Sequence, residues 1–278
     1  MVPIEYLLNF LKEDTPFGDI TTESVIPDTT CRAVITAEEP AVIAGLEEAG
    51  ALYRYYKVDV GTPVPDGSVV ISGEVILTLR GNAKAILTIE RTALNIIGRM
   101  SGIATMTRIY TEKVKTVRPS CRIAATRKTC PGFRALDKKA VQIGGGDPHR
   151  WSLSDAILIN DNHLALVRLA DAIERAKGRS SYQIVEVEVS STSDAVLAAK
   201  AGADVIMLDN MSPEQVRETV SSLKNEGVRD RVAIEISGGV DEDSLLRYAS
   251  EEIDVISIGA LTHSVKNISV HLDILKTE

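Results

Sequence analysis

Cysteine is scarce: Cys31, Cys121 and Cys130 are the only three in 278 residues. Their spacing fits no zinc site, and so low and odd a number suits free thiols in a reducing cytoplasm. Positive charge is also in deficit, with 31 Lys and Arg against 39 Asp and Glu and a net charge of -8. A pI near 5.2 argues against a general nucleic-acid binder, which needs a broad basic surface. No uninterrupted apolar run reaches the roughly 18 residues that a membrane span needs, so no membrane partner is expected. The opening MVPIEYLLNFLKED lacks a basic n-region and carries acids early, so a secretory signal is not expected there. What is present is ordinary for a soluble globular protein, 44% hydrophobic and 25% charged. The length allows one large or two modest domains with ample core.

Against the acidic background, residues 124–150 form a cationic island. It holds Arg127, Lys128, Arg134, Lys138, Lys139, Arg150 and His149. The first pair follows an apolar run, 121–125, that reads as a buried strand. Gly144-Gly145-Gly146 then permits a tight turn before Asp147-Pro148-His149-Arg150. Arg can grip carboxylates or phosphates bidentately and Lys supplies a compact charge, so the island suits an anionic ligand. A solvated basic helix face is the competing reading.

The N-terminal part reads as an α+β domain. Ile4, Leu7, Leu8 and Leu11 have helical spacing over 4–12. Residues 13–22 are rich in Pro, Gly and Asp and read as a loop. Strands are expected at 32–37 and 41–44, a helix at 46–56, and short β pieces from 59 to 79 with turns at Pro65-Asp66-Gly67 and Ser72-Gly73. From 82 to 117 the pattern is helical, with Ile86, Ile89, Ala93, Leu94, Ile96 and Ile97 on one face and Ser101, Gly102 and Ala104 small enough for close packing. Glu90-Arg91 lies inside this helix, either as a structural ion pair or with the Arg presented to a neighbouring subunit.

After Pro119 the period changes. Strands are expected at 122–125, 156–159, 184–189, 205–208, 232–236 and 255–258, with helices at 164–177, 192–201, 213–225 and 243–249. Strand–helix alternation implies a parallel sheet. The fold class is therefore α/β, an incomplete β/α (TIM-like) barrel at 111–278 following an N-terminal α+β sandwich at 1–110, which could also take back the C-terminal end. A barrel is favoured over an open sheet because Arg127, Lys128, Asp161, Glu188, Asp209, Ser237-Gly238-Gly239 and Gly259-Ala260 all fall at or just past strand C-termini, where barrel enzymes build their sites.

Ser237, Gly238, Gly239, Gly259 and Ala260 follow the last two strands, the usual barrel phosphate site; a merely tight turn is the alternative. Glu188 and Asp209 come from neighbouring strands and could hold Mg²⁺ jointly with substrate oxygens or accept ribose hydroxyls. Asp209 could instead cap the helix that follows. Glu186 shares a face with Glu188, which implies a polar barrel interior.

These residues resemble a known family. Glu90-Arg91-Thr92-Ala93-Leu94-Asn95, Ser101-Gly102-Ile103-Ala104-Thr105, Thr126-Arg127-Lys128-Thr129, Gly144-Gly145-Gly146 with His149-Arg150, and Asp161-Asn162-His163 are similar to quinolinate phosphoribosyltransferases. So are Glu186-Val187-Glu188-Val189, Leu208-Asp209-Asn210, Ser237-Gly238-Gly239, Gly259-Ala260-Leu261-Thr262-His263-Ser264 and the early Glu13-Asp14 with Gly18-Asp19-Ile20-Thr21-Thr22. The resemblance implies conversion of quinolinate and phosphoribosyl pyrophosphate (PRPP) into nicotinate mononucleotide, pyrophosphate and CO2, with Mg²⁺, in the cytoplasm. It implies a homodimer with shared active sites and leaves assembly into a hexamer undecided. Arg91 would reach the partner's site. Arg127, His149 and Arg150 would hold the quinolinate carboxylates, with Lys138 a weaker carry-over. Lys128, Glu188 and Asp209 would face the phosphoribosyl group and the metal, and Ser237, Gly238, Gly239 and Gly259 the 5-phosphate.

One departure stands out. The family usually has Lys-Asp-Asn-His where this chain has Asn160-Asp161-Asn162-His163. Asn160 would keep a hydrogen bond in the quinolinate pocket but remove a charge, typically a cost of about 1.5–3 kcal/mol. Either another base such as Lys139 compensates or the acid substrate differs. Competing readings are a paralogue in molybdenum-related metabolism, a Schiff-base aldolase using Lys128, and a phosphometabolite-binding regulator without turnover.

Overall fold

Alternating burial in one segment and a period near 3.6 in the next decide how the first third of the chain folds. A computed structural model of the protein describes residues 2–277. In chain order its elements are α1 (Ile4–Asp14), α2 (Ile20–Val25), β1 (Thr30–Ala37), β2 (Ala41–Val42), α3 (Leu46–Tyr55), β3 (Asp59–Gly61), β4 (Val69–Val70), β5 (Val75–Asn82) and α4 (Ala83–Val117). There follow β6 (Arg122–Ala124), α5 (Arg134–Ile143), β7 (Ile157–Ile159), α6 (Asp161–Leu164), α7 (Leu169–Arg179), β8 (Val185–Val189), α8 (Thr192–Ala201) and β9 (Val205–Asp209). The chain ends with α9 (Pro213–Asn225), a 3-10 turn (Arg229–Arg231), β10 (Ala233–Ser237), α10 (Glu242–Ala249), β11 (Val255–Ser257), α11 (Ala260–His263) and β12 (Val270–Thr277).

Two compact units result. The first comprises the chain up to Arg108, Pro131–Gly145 and the chain from Ser264; the second comprises Ile109–Cys130 and Gly146–His263. The sequence reading keeps 131–145 with the barrel, whereas the contacts of α5 lie in the first unit. There Arg99 of α4 grips Asp137 of α5 bidentately, at 2.8 and 2.9 Å, and its guanidinium lies over the Phe133 ring. Asp137 is fully buried, so this pair fixes α5 against α4.

The first unit is built on an antiparallel sheet in the order β12-β1-β5-β3. Cys31, Ala33, Ile35 and Ala37 of β1 are buried, while Arg32 between them is exposed. On α4, Ile86, Ile89, Ala93, Ile97, Met100 and Ile103 are buried at helical spacing and complete this core. The α3 helix starts at Gly45, whose φ is +97°, and Asp66 caps it by accepting from the Leu46 amide at 3.0 Å. One expectation is corrected here. Residues 13–22 are not all loop, because Asp19 accepts from the Thr22 amide at 2.9 Å and thereby starts α2 at Ile20.

The second unit contains six parallel strands in the order β6-β11-β10-β9-β8-β7. Asp147 adds a parallel bridge to Ala124 on the other edge of β6. Read from Asp147 through β6, β11, β10, β9 and β8 to β7, the strands follow chain order around a ring. The ring is open only between β7 and Asp147, which defines an incomplete barrel. Ile123, Val185, Val187, Ile206, Leu208, Ile234, Ile236 and Ile256 face outward and form one core with α7, α8, α9 and α10. The register pairs Glu186 with Val205, Glu188 with Met207, Met207 with Glu235 and Asp209 with Ser237. These residues therefore share the inner face, which is polar. The helix expected at 164–177 begins later: Leu164 ends the single turn α6, which a capping box between Asn160 and His163 starts, and α7 begins at Leu169.

Close approach also restricts the first unit. A Cβ on Gly102 would stand 2.2 Å from the Lys266 carbonyl oxygen. Gly102→Ala should therefore destabilise the protein by about 1–3 kcal/mol, the usual range for overpacking. Urea unfolding checks this, and an unchanged midpoint would mean that the 264–268 backbone can retreat.

Candidate active site

Strand C-termini place the candidate residues of the second unit around one rim. Glu188 is the penultimate residue of β8 and Asp209 ends β9; with Asp161 and Asp194 they line a cleft of about 360 Å³. Burial raises the pKa of Glu188, and the charges of Asp209, Asp161 and Glu186 raise it further, opposed by Lys128. A carboxylate held among like charges favours a cation. Two or three acids on an open cleft suit Mg²⁺, which is commonly held by one or two carboxylates plus substrate phosphate.

Lys128 connects this cleft to the glycine turns. Its carbonyl accepts from Thr262 Oγ1 at 2.9 Å, and its Cδ would lie 3.1 Å from a Cβ on Gly259. After β10 the chain turns through Gly238 and Gly239 with φ of +90° and +59°. A Cβ on Gly238 would stand 2.3 Å from Asn210 Oδ1, so only glycine fits there. Asn210 is itself tied to both neighbours. Its amide donates to the Ser237 carbonyl at 2.9 Å, and its Nδ2 donates to Asp209 at 2.6 Å.

The cationic side of the rim comes from the segments after β6 and after Asp147. Arg127 Nε is buried with no hydrogen-bond acceptor among the described residues. Arg150 Nη1 donates to the Ala156 carbonyl at 3.2 Å, across the opening in the barrel. Burial lowers the pKa of Arg150, and the Arg127 charge lowers it further. Two guanidiniums held so close, one with an unsatisfied donor, form a receptor for an anion.

His149 lies behind this pair. Its φ of +56° is left-handed, and its amide donates to Asp147 Oδ1 at 2.8 Å. Its Nδ1 accepts from the Arg150 amide at 2.8 Å. Its Nε2 lies 3.3 Å from Glu235 and 3.6 Å from Glu186. Nδ1 is thus taken by a backbone amide and Nε2 faces two glutamates, while the sequence reading has this ring hold a substrate carboxylate. Burial opposes an imidazolium here but the two glutamates outweigh it, lifting the ring's pKa to about 10. A proton on Nδ1 would break the Arg150 amide bond, however. Glu186 also has a raised pKa, from burial first and the Glu235 charge next. With Nδ1 accepting from the backbone, the ring's hydrogen lies on Nε2, on the side of Glu235 and Glu186.

Sequence reasoning missed Glu235. The signal was present: Ala233-Ile234-Glu235-Ile236-Ser237 repeats the alternation of Val185-Glu186-Val187-Glu188, with acids on the inward positions.

The island of 124–150 is divided between the units. Arg127, Lys128, His149 and Arg150 meet at the rim, whereas Arg134, Lys138 and Lys139 belong to α5 of the first unit. Lys138 is fully buried, so α5 is not a solvated basic face. Lys139 does not stand as a spare cation: its Nζ is bound by Glu47 and, at 2.6 Å, by the fully buried Glu48. Arg91 is exposed on α4 in the first unit and forms no ion pair with Glu90 among the described residues. Asn160 sits at the rim beyond β7, where its amide donates to His163 Nδ1 at 3.2 Å.

A β/α barrel with a cationic anion receptor, an acidic cation cleft and glycine turns at one rim defines an enzyme for phosphorylated, acidic substrates. Comparison with known proteins narrows this. Residues 19–101 match the quinolinate phosphoribosyl transferase N-terminal domain and residues 103–273 its C-terminal domain. The chain belongs to the quinolinate phosphoribosyl transferase family. It is 44% identical over 274 residues to a probable nicotinate-nucleotide pyrophosphorylase (carboxylating) of Methanothermobacter thermautotrophicus, covering 98% of each chain. It is 34% identical to the human nicotinate-nucleotide pyrophosphorylase (carboxylating), over 97% of this chain and 91% of that protein. The solved nicotinate-nucleotide pyrophosphorylase of Francisella tularensis superposes with a TM-score of 0.91 at 34% identity, over 99% of this chain and 98% of that one.

Lys139→Met should leave Glu48 without its counter-charge and cost about 3–5 kcal/mol at neutral pH. The cost should shrink towards pH 4–5. A buried carboxyl with a raised folded pKa favours folding while it is protonated and loses that contribution as pH rises. Thermal melts at several pH values check this, and a pH-independent loss would mean that Glu48 is not the source.

Proposed function

We propose that the protein transfers the phosphoribosyl group of PRPP to quinolinate with decarboxylation, giving nicotinate mononucleotide, pyrophosphate and CO2, as its relatives' names describe. The observation that carries this reading is the Arg127–Arg150 pair, with its buried unsatisfied Nε, set beside the acid cleft of Glu188 and Asp209. A pyridine dicarboxylate supplies the anion for the first, and a polyphosphate sugar with its metal supplies the partner for the second.

Each group then has a task. Arg127 and Arg150 hold the two carboxylates and fix the ring nitrogen relative to the sugar. Lys128 neutralises the phosphoribosyl group. Ser237, Gly238, Gly239, Gly259 and Ala260 hold the 5-phosphate through backbone N–H groups. Mg²⁺ held by Glu188 and Asp209 would neutralise the pyrophosphate as it leaves. Transfer passes through a cation-like ribose carbon, which the carboxylates on the rim stabilise electrostatically. Loss of CO2 leaves carbanion character on the ring, which the adjacent guanidiniums favour. Arg91, exposed on α4, reaches the active site of a second subunit in a cytoplasmic homodimer; a solution mass of two chains checks the assembly.

Purified protein with quinolinate, PRPP and Mg²⁺ should form nicotinate mononucleotide, and nicotinate in place of quinolinate should not. Product from neither acid would sink the reading and favour a paralogue with a different acid. Asn160→Lys restores a charge to the pocket and should lower the KM for quinolinate about tenfold or more, the equivalent of a charged hydrogen bond. A KM that rises would mean that Asn160 is needed where it is, bound to His163.

A further inference from the structure

The inner face of the barrel holds a buried group that transfer chemistry does not use: His149 with Glu186 and Glu235. Glu186 and Glu235 are each about 4% exposed or less, and each has an Oε1 atom with no hydrogen-bond partner. Burying two incompletely paired carboxylates costs stability, so their presence calls for another explanation. Three possible metal-ligating atoms gather here. Because Nδ1 accepts the Arg150 amide, however, the imidazole hydrogen lies on Nε2, and that nitrogen has no lone pair to offer a cation.

The cluster instead fixes a strained turn. A left-handed residue with a side chain costs about 1–2 kcal/mol and persists only where its surroundings hold it. Three contacts hold His149: its amide to Asp147, the Arg150 amide to its Nδ1, and its Nε2 towards the glutamates. Of the two carboxylates, Glu235 is the nearer to Nε2, at 3.3 Å against 3.6 Å for Glu186. Glu186 and Glu235 stand on β8 and β10, so the ring spans the inner face across β9.

We propose that Glu235 is a positioning residue for the acid-substrate pocket, accepting the Nε2–H of His149 and thereby holding the ring that receives the Arg150 amide and directs the Arg150 guanidinium. This rests on the reading of Arg127 and Arg150 as the quinolinate receptor. Glu235 need not touch the substrate; it acts through His149.

The test compares Glu235→Leu with Glu235→Gln in the full-length enzyme. The Leu variant removes the acceptor and one buried carboxylate. Its KM for quinolinate should rise tenfold or more while its KM for PRPP stays within twofold, and its melting temperature should hold or increase. The Gln variant keeps an acceptor oxygen and should recover quinolinate KM to within threefold of the parent. Unchanged quinolinate KM in Glu235→Leu would overturn the proposal, as would a parallel loss of both KM values and of thermal stability. Nitrogen-15 NMR of the histidine rings needs no turnover. It should show His149 with hydrogen on Nε2 in the parent and a changed ring signal in Glu235→Gln, which keeps the proposal testable if the Leu variant does not fold. Hydrogen on Nδ1 in the parent, or a ring signal indifferent to substitution at Glu235, would overturn it. A parent enzyme inactive on quinolinate would remove the functional reading alone, and the ring signal would still decide the role of Glu235.

Discussion

Everything at the rim depends on the parity of six parallel strands. Side chains alternate between two faces, and the helices cover only the outer one. Val185, Val187, Ile206, Leu208, Ile234 and Ile236 are packed against those helices and supply the apolar burial that holds the unit together. That leaves the inner positions free of any duty to the core. Glu186, Glu188, Met207, Asp209, Glu235 and Ser237 occupy them, and most are polar. A slip of one residue in any strand would send an acid into the helix layer and an isoleucine into the site. The same alternation that stabilises the barrel therefore specifies the chemistry of its interior.

The charges of the site are separated by where the chain emerges. The segments following β6 and Asp147 bring Arg127 and Arg150 together despite their mutual repulsion. The ends of β8 and β9 bring Glu188 and Asp209 together despite theirs, and burial first, with that repulsion added, makes Glu188 ionise with difficulty. Neither pairing is favourable by itself. Each is held in place by a local hydrogen bond: the Ala156 carbonyl accepts from Arg150, and the Asn210 side-chain amide donates to Asp209. Such preorganised repulsion is what an enzyme for charged substrates needs, since ligand binding relieves it.

The barrel strands and most helices were legible from hydrophobic period, α8 and α9 among them. The rim residues followed from strand ends, and the family from motifs spread over the chain. Less legible were features set by distant contacts. α2 hides in a loop-like composition because one carboxylate, Asp19, caps it. α6 is a separate single turn, started by a box between Asn160 and His163 that the hydrophobic period does not show. Lys139 reads as an available base until the buried Glu48 beside it is seen. α5 looks like part of the barrel by position, yet the Arg99–Asp137 pair ties it to the first unit. Glu235 lay in plain view as an acid in an apolar strand, but its meaning required knowing that His149 turns inward.

The register of β1 with β12 has a consequence for synthesis. Cys31 lies opposite Thr277, and Ala37 opposite Val270. One edge of β1 is therefore paired by β12, which is translated only after about 230 further residues. While the barrel segments emerge, that edge offers unmatched N–H and C=O groups to any strand nearby. The barrel can assemble from neighbours in sequence as it appears, but the first unit must wait for its final strand. Nascent chains of this protein should be exposed to mispairing at β1, a strand made long before the partner that seals its edge.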